Sequence, residues 1–79
     1  MPTVFVEGAS RYYFFSKEET RKHVHVSTPN GEAKIWLEPD ISVAKAINLS
    51  KTEINDIIKI ATLRKEEIID AWNKHFGKI

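Results

Sequence analysis

His23 and His25 stand two residues apart in "TRKHVHVSTPNGEAKIWLEP", with Arg21 two residues before the first of them. Imidazole titrates near neutral pH, so two of them can give and take a proton within one reaction. Arginine holds a phosphate through two parallel hydrogen bonds. These three residues are the minimal set for metal-independent cleavage of a phosphodiester: a base, an acid and a cation facing the charge that develops. Arg11 and Lys34 would hold phosphate, Tyr12 or Tyr13 would donate a hydrogen bond, and Trp36 would stack on a base.

The same residues admit other chemistry. The H-x-H pair offers two imidazoles to a zinc or nickel ion. Two ligands are too few for a tight site, and nothing in the spacing obliges Glu7, Glu18, Glu19 or His75 to supply the rest. No metal and no cofactor is expected. Binding of nucleic acid without cleavage would use Trp36 and the aromatics of "RYYFF". The net charge of +1 gives such binding no bulk attraction, and there is no glycine-rich phosphate loop. A protein partner needs only an open hairpin edge. The plainest reading is a solvated sheet face with Trp36 covering part of it.

The elements that would position these residues follow from pattern. "TVFVE" at 3–7 reads as a strand, Gly8 to Ser10 as a turn, and "RYYFFS" at 11–16 as a second strand buried on both faces. Residues 17–22 form a charged link. "HVHVS" at 23–27 and "EAKIWLE" at 32–38 alternate strictly, and "TPNG" at 28–31 joins them as a hairpin in which Asn30-Gly31 forms a left-handed pair. Alternation turns Val24, Val26, Ala33, Ile35 and Leu37 towards the core. It turns His23, His25, Lys34 and Trp36 to the other face.

Pro39 ends the last strand, and residues 39–49 read as a short helical turn or packing segment, from the spacing of Val43, Ala44 and Ile47. Ser50 with Glu53 matches a capping box. Ile54, Ile57, Ile58 and Ala61 then form one helical stripe, and Ile68, Trp72 and Phe76 extend one as far as Gly77, a good stop. Whether 62–67 interrupts this helix stays open. The acidic pair Glu66 and Asp70 reads as solvated surface. The expected fold is two-layer α+β: an antiparallel sheet of about four strands against a long C-terminal helix, in one domain spanning 1–79.

With 79 residues and no cysteine, the chain has neither a disulfide nor a thiolate zinc site, and a core this small gains from a partner. "MPTVFVE" has no basic leader pattern, and no run approaches the roughly 18 apolar residues of a membrane span. A soluble cytoplasmic protein is expected.

The N-terminal "MPT", "RYYFF", "HVHV", "GEAKIWLEP" and "AWNKHFG" together closely resemble the small bacterial family known as domain of unknown function 4160. The likeness covers nearly the whole chain. Prolines that usually precede the histidine pair in that family are absent here, and the link is one residue shorter. The resemblance implies a compact bacterial cytoplasmic protein, often encoded beside another small protein in pairs that look like toxin–antitoxin modules. It therefore implies a cognate protein partner. It carries Arg21, His23, His25, Glu32, Lys34 and Trp36 over as matching positions, without assigned roles. Two functions stand side by side: protein–protein contact within such a pair, and ribonuclease-like cleavage by His23, His25 and Arg21 with Arg11, Lys34, Trp36 and Tyr13 binding substrate. A homo-oligomer and an RNA ligand remain open; a membrane partner is not expected.

Overall fold

A computed structural model of the chain describes residues 3–15 and 21–77. The elements are β1 (Thr3–Glu7), β2 (Ser10–Tyr13), β3 (His23–Ser27), β4 (Glu32–Trp36), β5 (Ser42–Ile47), α1 (Lys51–Leu63) and α2 (Lys65–Phe76). The strands form one antiparallel meander in the order β1-β2-β3-β4-β5. Both helices pack on one face. This is the expected α+β architecture with one more strand and a divided helix.

The core follows from period-two alternation meeting helical stripes. Val24 faces Ile35 and Val26 faces Ala33 across β3 and β4, and all four are buried with Leu37. Phe5 of β1 stacks on Tyr12 of β2 at 4.5 Å between ring centroids. Ile57 and Ala61 of α1 and Ile68 and Trp72 of α2 close this layer from above. The valines therefore point inward as their alternation requires.

Residues 42–47, expected within a helical or irregular segment, form β5 instead. Ile41, Val43 and Ile47 are β-branched and suit an extended chain. The free edge of β4 offers backbone hydrogen bonds that a short, weakly amphipathic helix could not replace. The register slips between Lys34↔Lys45 and Ile35↔Val43, which leaves Ala44 as a bulge. The second strand also stops earlier than expected, at Tyr13; beyond it Phe14 is buried against Trp72 and Phe15 lies against His25, and Ser16 lies outside the described residues.

The hairpin turn differs in detail as well. Neither Asn30 nor Gly31 takes positive φ. Pro29 sits at the first central position, where its ring locks φ negative and excludes a left-handed turn. Thr28 organises the loop instead. Its Oγ1 accepts from the amides of Asn30 (3.1 Å) and Gly31 (3.0 Å), and its own amide donates to Gly31 O at 2.8 Å. Gly31 is required for space: a Cβ there would run into the carbonyl oxygen of Ile47, with Asn48 O at 3.0 Å. Between β1 and β2, Gly8 has φ 61°, the left-handed conformation at the first turn position that favours glycine.

Ser50 caps α1. Its Oγ accepts from the Glu53 amide at 3.1 Å, and Glu53 Oε1 accepts from the Ser50 amide at 3.0 Å. Glu53 Oε2 also accepts from Asn30 Nδ2 at 2.9 Å, which ties the helix start to the β3–β4 hairpin. The segment 62–67 does interrupt the helix, at Arg64 (φ −109°, ψ 23°). The Arg64 guanidinium grips Glu67 through two bonds of 2.9 Å, reaches Glu7 of β1 at 3.1 Å, and lies 3.5 Å from the Phe5 ring centroid. One side chain thus joins the helix junction to the first strand. Gly77 ends α2 at φ 80°.

Candidate functional site

The face turned away from the helices carries most of the proposed residues. Strand register places Tyr13, His25, Lys34 and Lys45 side by side on β2, β3, β4 and β5. Alternation points this row outward. His25 is half-buried between the Tyr13 ring, stacked at 5.6 Å, and the Phe15 ring, tilted at 4.2 Å. The Arg11 guanidinium carbon lies 4.7 Å from the Tyr13 centroid, and Arg11 Nε donates to Thr3 Oγ1 at 2.7 Å.

Trp36 is the second centre. Lys34 Nζ lies 4.6 Å and the Arg21 guanidinium carbon 4.0 Å from its ring centroid, so two cations meet one indole. Arg21 Nε donates to Glu38 O at 3.0 Å, and the Leu37 amide donates to Lys22 O at 2.9 Å. These bonds fasten the chain entering β3 to the chain leaving β4.

His23 departs from the expected open surface. It is fully buried. It is the first residue of β3, and Trp72 of α2 packs against it. Its ring is edge-on to Trp72 at 5.3 Å, to Trp36 at 5.6 Å and to His25 at 5.1 Å. His23 Nδ1 is hydrogen-bonded to Arg21 O at 2.7 Å; an Nδ1–H donates there. Alternation assigns the residue to the outer face, but says nothing of an indole from a distant helix that covers it. An acid–base pair in which both imidazoles open to a phosphodiester is therefore not formed. Tyr12 is also withdrawn, on the helix side. Burial, with the charges of Glu7 and Asp56, pushes its hydroxyl up to about 12 against the opposing effect of Arg64.

Arg11, Tyr13, His25, Lys34, Trp36 and Arg21 thus share one surface, and His23 lies beneath its edge. Sequence reasoning missed Lys45 and Ile47, and named Phe15 only among the aromatics of "RYYFF". Lys45, Ile47 and Phe15 join Tyr13, His25 and Lys34 in lining an outward depression of about 260 Å³. The bulge at Ala44 breaks the alternation between Val43 and Lys45, so the pattern of this segment could not show which way Lys45 faces. A second depression, of about 420 Å³, lies against α1 and is acidic, with Glu7, Glu53 and Asp56 in its lining. Among the described residues, no group of three or more His, Asp or Glu is gathered as a metal site, and Glu18 and Glu19 lie outside them. No described helix is long and apolar enough to cross a membrane.

Fold and surface define a small α+β protein whose helices cover one side of a five-stranded sheet and leave an aromatic, cationic side uncovered by them. The chain belongs to the family described as Domain of unknown function (DUF4160), whose model matches residues 10–73. No curated protein and no solved structure matches it.

Proposed function

We propose that this chain is one component of a bacterial, cytoplasmic two-protein module of the toxin–antitoxin kind, and that it acts by binding its cognate protein, the product of an adjacent gene, along β5. The observation that carries this reading is that β5 is an edge strand in which every residue is exposed. An edge presents unpaired amides and carbonyls to any strand that comes alongside. Val43 and Ile47 expose 40% and 37% of their surface there. The opposite edge is more guarded: Arg64 covers Phe5 of β1 and holds Glu7.

Charge favours a different protein over a second copy. A two-fold pairing of β5 with itself would bring two Lys34–Lys45 rows together, and like charges on neighbouring strands repel. A partner strand with acidic residues on the outer face would meet these lysines favourably. This role needs no catalysis.

Co-expression with the adjacent gene product and purification of the complex tests the reading. Val43→Glu with Ile47→Glu should abolish the complex while leaving the free chain folded. A wild-type chain that stays unpaired overturns the proposal, as does a complex indifferent to both substitutions.

A further inference from the structure

We infer that the outer depression binds a nucleotide, with its base on Phe15 and His25 and its phosphate between Lys34 and Lys45. This site adjoins the strand edge, and Lys34, Lys45 and Ile47 border both.

Three observations converge on it. Lys34 and Lys45 are directly opposite across β4 and β5, and both side chains line the depression. A phosphate entering the depression meets two cationic side chains from neighbouring strands, and charge-assisted hydrogen bonds to phosphate are the strong ones. Lys45 has no ion pair among the described residues. Next, Phe15 keeps 40% of its surface exposed while its ring lies 4.2 Å from His25, and Tyr13 stacks on His25 from β2. An exposed ring beside a partly covered one is a stacking platform for a flat heterocycle. Finally, the space is about 260 Å³, slightly below the range of drug-sized pockets and suited to one small ligand unit. Glu32 is the acidic residue in the lining, one row away from Lys34, so the phosphate belongs at the lysine side.

A free nucleotide and a unit of single-stranded RNA present the same base and phosphate. Fluorescence anisotropy with a labelled oligoadenylate, with AMP as competitor, separates them. Saturable binding is expected at low salt. The slope of log K against log salt should be about −0.7 for the one phosphate held in the depression. Lys45→Glu and Phe15→Ser should each weaken binding about tenfold or more, and Lys45→Ala should weaken it less than Lys45→Glu. Lys59→Glu, on the exposed surface of α1, should leave it unchanged. Circular dichroism checks that each variant is folded. Competition by AMP at the affinity of the oligonucleotide assigns the site to free nucleotides; binding of the oligonucleotide alone assigns it to RNA. The inference is overturned if neither probe saturates at about millimolar concentration. It is equally overturned if binding survives both site substitutions, or if poly-glutamate competes as well as the oligonucleotide, since charge alone would then explain the contact.

Discussion

The ring of His23 rests edge-on against the indole of Trp72, 5.3 Å between centroids, although one residue opens a strand and the other lies near the end of the last helix. Trp72 is itself 1% exposed, and its Nε1 has no hydrogen-bond acceptor among the described residues; it lies among the rings of Phe14, His23 and Phe76. The contact makes His23 part of the packing that seats α2 on the sheet.

Replacement of the two histidines should therefore have unequal effects. His23→Ala removes a fully buried ring and its bond to Arg21 O, and should cost about 2–4 kcal/mol. His25→Ala, at a half-exposed position, should cost about 1 kcal/mol or less. Urea unfolding of both variants measures the difference. Equal losses would contradict the assignment of His23 to the core.

Gly31→Ala tests the close approach of β5. The added methyl meets the Ile47 carbonyl, which belongs to backbone and cannot swing aside. A loss of about 1–3 kcal/mol is expected. Hydrogen exchange should show faster exchange in 42–47 than in β3. A variant as stable as the parent would mean that β5 does not pack over this turn.

The capping box predicts an acid-sensitive helix start. The Ser50 amide first, and then the Asn30 side chain, hold the Glu53 carboxyl below its ordinary value. A lowered folded pKa gives stability that is present above the unfolded value of roughly 4.3 and is lost as pH falls through the folded value. The thermal midpoint should fall over that acid range. In Glu53→Gln it should start lower at neutral pH and change less on acidification, because the amide cannot ionise. Parallel pH curves for the two proteins would contradict this.

Tyr12 predicts the opposite limb. Its hydroxyl is raised to about 12, mainly by burial. Its contribution to stability is complete below the unfolded value of roughly 10 and declines as pH rises towards the folded one. Tyrosinate absorbance should show a phase with a midpoint near 12 that disappears in Tyr12→Phe. Its persistence in the variant would assign that phase elsewhere.

The amino-acid pattern alone determined the inward valines of β3, the matching Ala33, Ile35 and Leu37, the Ser50–Glu53 cap and the stop at Gly77. Each depends on backbone periodicity or on groups a few residues apart. The outward direction of His25, Lys34 and Trp36 was legible for the same reason. Tertiary structure decided what non-local neighbours decide. Trp72 covers His23 from about fifty residues away in the chain, and Arg64 reaches back to Glu7 and Phe5. The open edge of β4 drew Ser42–Ile47 into the sheet, which brought Lys45 beside Lys34. Alternation tells a side chain which way to point; only the packed fold determines whether it meets water or another ring there.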